Sequence, residues 1–431
     1  MNPAFMSTPA FPAEPRPLWK DLLHPAVIVG ALGYFVDIYD LVLCLAVKNS
    51  SLAQLGLTKA AETTWGDPMN WQMLGMLLGG VFFGVIGDRL GRLTTLFGSI
   101  LLYSLANIAN GMVDSLEAYN ACRFIGGFGL SGELGGCIAL VSEALPKDRR
   151  GYGTALVAAV GVFGAVVACF VAMTFNHGDD WRMNYYVGGG LGLALLFLRV
   201  GVKESLMFHH ASKESSSSNV ARGNFFALFT NWGRFTKYAG CIIIGLPTWF
   251  MIGILVQNAE KVFSIESKVP GVISPMAVGA FYLGLTFGDL GSGILSQLMK
   301  SRKKVVALFL CLSLAGVSVY LYGVDSWSAY SYYALICFMG FGMGYWAIFV
   351  TIAAEQFGTN LRSTVATTVP NFVRGSLPVY AAVFLYLTKV EKVAPSISAT
   401  YIAVFCFGSA FLALWKMEET YGKDLDYQEQ K

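Results

Sequence analysis

Six ionisable side chains, Asp37, Asp40, Arg123, Glu133, Asp289 and Arg374, interrupt long apolar runs. A charge at the centre of a bilayer costs about 2.5–3.5 kcal/mol on insertion scales, so such residues face a cavity or a partner and mark ion or substrate pathways. Asp37 and Asp40, in GYFVDIYDLVL, are three residues apart and share a helical face with Tyr34 and Leu41 nearby. Two neighbouring carboxylates repel in a low dielectric, which makes the pair a proton site; the alternative is a permanent ion pair for one of them. Glu133 is a further proton candidate, with a hydrogen bond to glycine-exposed backbone as its alternative. Arg374 stands between Pro370 and Pro378 and needs an anion. Its planar fork suits a carboxylate or phosphate; Asn371, one turn earlier, can add a polar contact. An internal pair with Asp289 is the other reading. The four acids outnumber the two bases, and unpaired negative charge in oil is neutralised by protons.

The rest of the chain must hold these groups. Its 431 residues are 55% hydrophobic and only 13% charged, with mean hydropathy +0.56, against about 25% charged residues in soluble domains. This is the composition of a polytopic membrane protein. A net charge of +3 without a long basic tract argues against nucleic acid as a partner. The eight cysteines lie singly in apolar runs without zinc or disulfide spacing, so they read as small core residues and no metal site is expected. GFGLSG (127–132) lacks the lysine of a P-loop, which removes ATP as the energy source. The polar, proline-rich start lacks the pattern of a cleaved signal peptide.

A span needs about 20 mostly apolar residues. Twelve windows qualify: 26–47, 70–87, 93–113, 119–143, 153–175, 181–202, 237–258, 274–299, 304–323, 330–354, 363–387 and 398–415. With both ends cytoplasmic, twenty Lys and Arg fall on the inner side and seven on the outer, the positive-inside asymmetry. The serine-bearing stretch after the sixth span reads as a linker, dividing the chain into 1–202, 203–236 and 237–431. A repeat crosses it: Glu143 to Arg150 in SEALPKDRRGYGTA matches Glu355 to Arg362 in AEQFGTNLRSTVAT. Two six-helix halves follow, the repeat logic of secondary transporters with a site near the midplane.

GVIGDRLGR (84–92) resembles the GxxxDRxGR loop of the major facilitator superfamily through Gly84, Asp88, Arg89, Gly91 and Arg92. Gly132, Glu133 and Gly135 resemble the GGExG pattern of its metabolite and sialate:proton symporters, with Ser131 in place of the first glycine. GYFVDIYDLVL resembles the DxxD first helix of phosphate and sialate-type symporters. NFVRGSLP (371–378) resembles an NxGR...P element of the eleventh helix, with Val373 at its glycine position. The resemblance spans roughly 20 to 415 and implies an all-α membrane protein, with twelve transmembrane helices in two pseudo-symmetric six-helix bundles. It also implies an aspartate of the first helix against Arg123 of the fourth, as in sugar:proton symporters. Asp88, Arg89 and Arg92, with Glu143, Arg150, Glu355 and Arg362, are the implied gating residues at the inner face.

The expectation is a monomeric secondary transporter in a cell membrane, a bacterial inner membrane, moving a small organic anion with protons by alternating access. It is not an enzyme and uses no cofactor beyond the proton gradient. Asp37, Asp40 and Glu133 are the proton candidates; Arg374, Asn371, Arg123, Tyr34, Asp289 and Trp249 are the substrate candidates. Tyr282, Tyr345 and Trp346 could also line the site, or pack. Sodium in place of protons, phosphate, a sugar or zwitterion, and proton-driven efflux are the alternatives.

Overall fold

The computed structural model describes residues 17–90, 92–145, 149–176, 180–206, 224–358 and 360–423. Among these, each expected span is helical: α1 (Pro25–Gln54), α2 (Pro68–Leu90), α3 (Arg92–Asn110), α4 (Leu116–Leu130 and Glu133–Ala144), α5 (Arg150–Asn176) and α6 (Trp181–Leu206). The second set is α7 (Trp232–Phe250, continued by the π-helical Met251–Val256), α8 (Ser274–Leu298), α9 (Arg302–Tyr322), α10 (Ala329–Gly342 and Trp346–Glu355), α11 (Arg362–Gly375 and Leu377–Leu385) and α12 (Pro395–Lys416). Large apolar side chains such as Phe197, Leu198, Val404, Phe405 and Trp415 point outward from the bundle, the surface a helical protein offers to lipid.

Eight stretches among the described helices are long and apolar enough to cross a membrane, that of α10 taken across its break. α4 and α11, each in two shorter pieces, are not among the eight. The cut in α4 lies in GFGLSGE (127–133), and α10 is cut in the matching GFGMGYW (340–346), a second repeat beside the Glu-to-Arg one. The packing repeats with it. A Cβ at Gly127 would run into the backbone oxygen of Gln72, and one at Gly340 into that of Phe281. Only glycine allows α2 to cross α4, and α8 to cross α10, at such close range.

α5 packs against α8 and α2 against α11, forming the seam between the two six-helix bundles. The carboxy-terminal bundle starts earlier than the boundary at 237: Asn231 caps α7 by accepting from the N–H groups of Gly233 and Arg234. Phe225 already packs on Tyr238 and Phe372. The chain from 224 onward therefore belongs to this packing, and the serine run within 207–223 lies outside the described residues. Five cysteines are buried, as expected of small core residues, whereas Cys311 is exposed and Cys122 and Cys337 are half-buried.

Candidate functional site

A small cavity lies between the bundles. α1 contributes Tyr34, Ile38 and Leu41; the opposing bundle contributes Trp249, Tyr282, Trp346 and Arg374, among others. At about 100° per residue, Tyr34, Ile38 and Leu41 form one stripe, with Asp37 turned about 60° from Tyr34 and Asp40 about 120°. The two aspartates therefore diverge, and neither lines the cavity. The expected shared site is replaced by two separate environments.

Arg374 is 1% exposed, and the proline-bounded segment of α11 places it at the cavity wall. Its Nη1 donates to Asn371 Oδ1 at 3.0 Å, while its Nε is buried without a hydrogen-bond partner. It makes no ion pair among the described residues. Asp289, the internal partner considered for it, points elsewhere: Oδ1 accepts the N–H of Ala347 at 3.0 Å at the start of the second piece of α10, and Oδ2 has no partner. Asp289 serves as a helix cap here, in line with the preference for acids at helix N-termini. Asn371 does not line the cavity; its Nδ2 donates to Ser131 O at 2.9 Å across the seam and to Thr367 O at 2.8 Å. It orients the arginine rather than meeting a ligand.

Arg123 is also withdrawn from the cavity. Its Nε donates to Asn110 Oδ1 at 3.0 Å and its Nη2 to Asn107 Oδ1 at 2.7 Å, and its guanidinium lies 4.6 Å from the Tyr185 ring centre. Asp40 is fully buried within electrostatic reach of Arg123, with Asn107 between them, and is not within ion-pair distance. The Asn107 amide acts on the Asp40 carboxylate, but no donor meets either oxygen within hydrogen-bond distance. The carboxylate rests against the bare backbone of Gly188 on α6. The resemblance thus names neighbours, and an asparagine interposed between them. Asn107, Asn110 and Tyr185 were missed; the i, i+3 asparagines in an apolar helix were the signal.

Asp37 is buried near Tyr34, which also lies in the field of Arg374 and Asp289. Tyr34 accepts a hydrogen bond from Trp346 Nε1 at 3.2 Å, joining the bundles beside the cavity. Glu133 begins the second piece of α4 and accepts from Ser99 Oγ at 3.2 Å, within its own bundle. Tyr345 turns away and donates to Ile244 O at 2.9 Å. Of the gating candidates, Glu355 pairs with Arg302 at 3.3 Å, and Arg362 donates to Ala354 O at 3.3 Å. The side chains of Asp88, Arg89, Arg92, Glu143 and Arg150 lie outside the described residues.

Polar contacts cross the seam on both sides of the cavity. Toward the end where α1 begins and α12 finishes, Thr364 donates to Gly84 O at 3.3 Å and Asn371 reaches Ser131. At the far end, Asn49 donates to Ser274 at 3.1 Å, Gln257 to Asp67 at 3.2 Å, and Lys389 pairs with Glu62 at 2.9 Å. Asp67 is also held by Lys48 at 2.7 Å.

Two bundles meeting along α2, α5, α8 and α11 around one cavity agree with what sequence comparison finds: the model of the Major Facilitator Superfamily matches residues 27–382. The chain belongs to that superfamily. As a member it is a multi-pass membrane transporter, not an enzyme. Superfamily relatives include a putative niacin/nicotinamide transporter of Bacillus subtilis, 24% identical over 358 residues that cover 80% of this chain and 84% of that protein. A gentisate transporter of Corynebacterium glutamicum is 23% identical over 322 residues, covering 68% and 70%. Among solved structures, the proton:xylose symporter XylE superposes with TM-score 0.66 at 16% identity, covering 93% of this chain and 97% of that one. That likeness concerns the fold.

Proposed function

We propose that this transporter carries a small organic anion together with a proton by alternating access. The carrying observation is Arg374: a fully buried guanidinium at the wall of the central cavity, its Nε unpartnered and no carboxylate paired with it among the described residues. A buried charge without a counter-ion is strongly unfavourable, and an arriving carboxylate supplies the missing partner with charge-assisted hydrogen bonds. Of the compounds for which the two relatives are named, niacin and gentisate are carboxylic acids and nicotinamide is a neutral amide. The driving force is the proton gradient, with no bound cofactor.

Asp40 is the proton site of this reading. An ionised carboxylate buried without a donor costs far more than a carboxylic acid, so proton uptake at Asp40 accompanies the closed arrangement. Release exposes a charge that Arg123 and Asn107 must approach, which repacks α1 against α3, α4 and α6. A ligand shifts such an equilibrium only by binding one arrangement better than the other. Anion on Arg374 and proton on Asp40 each stabilise closure of the seam; opening breaks the contacts at one end or the other. The chain sits with both termini in the cytoplasm of a bacterial inner membrane and acts as a monomer.

The test is uptake of a labelled carboxylate panel by proteoliposomes, with and without an inward proton gradient. Gradient-dependent accumulation that Arg374→Lys weakens through affinity supports the proposal. Flux indifferent to external pH removes the proton, and unchanged affinity in Arg374→Lys removes the anion site.

A further inference from the structure

We infer that the cavity selects a flat aromatic monocarboxylate, with the Trp346 indole as the specificity-determining surface for its ring; this rests on the anion reading of Arg374. Arg374 is the single charged residue in the lining, and none of the lining residues is Asp, Glu, Asn, Gln or His. Apart from Tyr34, Tyr282, Thr248 and the indole nitrogens, the walls offer hydrocarbon. Several of those groups are already engaged: Thr248 Oγ1 donates to the Met343 sulfur at 3.1 Å, and Trp346 Nε1 donates to the Tyr34 hydroxyl at 3.2 Å. The ligand therefore needs one negative group and a body that asks for few hydrogen bonds.

Three other ligand classes fit poorly. A sugar acid brings several hydroxyls, and each left unpaired on burial is penalised by desolvation. Phosphate at neutral pH calls for more than one cation, and the lining has one. A zwitterion brings a second cation, which meets no lining acid. Its best aromatic surface, Trp346, already has the Arg374 guanidinium 5.8 Å from its ring centre.

That last distance is also the positive argument. The guanidinium and the indole are neighbours, so a carboxylate seated on Nε directs its attached ring along the indole. Trp346 is fixed in place at two points, since its Nε1 donates to Tyr34 across the seam and its ring packs on Phe349 with centres 5.0 Å apart. A platform held in this way loses little freedom when a ring stacks on it, which is how preorganisation raises affinity.

The test is isothermal titration of the detergent-purified full chain with benzoate, cyclohexanecarboxylate, gluconate, inorganic phosphate and glycine betaine in turn. Benzoate should bind, cyclohexanecarboxylate about tenfold more weakly for want of a flat face, and the other three not measurably. In Trp346→Phe the preference for benzoate should persist. In Trp346→Leu benzoate should fall to the level of cyclohexanecarboxylate, whose retained binding shows that the variant is folded. Benzoate still preferred by Trp346→Leu overturns the indole as the selecting surface. If gluconate, phosphate or betaine binds, benzoate does not, and Arg374→Lys abolishes that binding, the anion site stands and the aromatic inference falls. Absence of any anion binding sensitive to Arg374→Lys overturns the anion reading itself, and this inference with it.

Discussion

The fourth and tenth helices break in the same way and then do different things. GFGLSGE and GFGMGYW each end one helical piece on a glycine run pressed against a neighbouring backbone, Gly127 on Gln72 and Gly340 on Phe281. The residue that starts the next piece is Glu133 in one bundle and Trp346 in the other. Glu133 turns to Ser99 inside its own bundle, whereas Trp346 faces the cavity and reaches Tyr34 across the seam. The scaffold is repeated and the chemistry is not. The amino-terminal bundle keeps its acids, Asp40 and Glu133, among its own helices; the carboxy-terminal bundle places its arginine and aromatic rings on the cavity. On the function proposed above, this division separates a proton site from an anion site, and the variants that follow would break it or sharpen it.

The largest effect is expected at Asp40. Asp40→Asn should abolish accumulation driven by a proton gradient while leaving exchange of labelled for unlabelled substrate intact, measured in proteoliposomes of opposite gradient. Intact accumulation would move the proton elsewhere and dissolve the proton half of the comparison. Gly188→Ala probes the same place from the other side. Its Cβ would strike the Asp40 carboxylate, so it should weaken coupling in the same assay while sparing anion affinity.

A smaller effect should follow from Asn371→Ala. The arginine loses its 3.0 Å hydrogen bond, and bonds to charged groups are worth enough that anion binding should weaken about tenfold, with the proton dependence of the remaining flux unchanged. A changed proton dependence with unaltered affinity would mean that the seam contact to Ser131, not the orientation of Arg374, is what Asn371 provides. The glycine scaffold sharpens the comparison further. Gly127→Ala and Gly340→Ala should each destabilise the detergent-solubilised protein by about 1–3 kcal/mol, because the obstructing atoms are backbone and cannot turn aside. Unequal losses in thermal unfolding would show that the two crossings are not equivalent.

The architecture was legible because lipid imposes length and apolarity on every span, and glycine, proline and the loop arginines mark the ends. The breaks were not, since GFGLSGE and GFGMGYW read as ordinary apolar helix until a partner backbone is seen at Gly127 and Gly340. Arg374 was found by its cost alone: a charge between two prolines deep in a span has few explanations. The pairing of Asp37 with Asp40 misled because a spacing of three fixes a shared side of the helix only to within about 60°, enough to send one carboxylate toward Tyr34 and the other toward Gly188. Depth put Arg123 near Asp40, but no count of residues along a helix could show that Asn107 stands between them.

The smallest effect is expected where the two bundles touch at the far end. Lys389 donates a hydrogen bond to Glu62 and, with its charge, holds that carboxyl below the ordinary glutamate range. A group with a lowered folded value stabilises the paired arrangement above about pH 4.3, its ordinary value, and that contribution is lost as pH falls through the lowered value. Glu62→Gln should remove it at every pH. Both side chains are more than half exposed, so water and salt screen the pair and its share of closure is small. Accessibility of a cysteine placed at the far end should therefore rise slightly in Glu62→Gln at low ionic strength, and the difference from the parent protein should vanish in high salt. A large, salt-resistant rise would mean that this exposed pair, rather than the more buried Asp67 held by Lys48 and Gln257, carries the closure, reversing the order of importance that burial assigns to the two contacts.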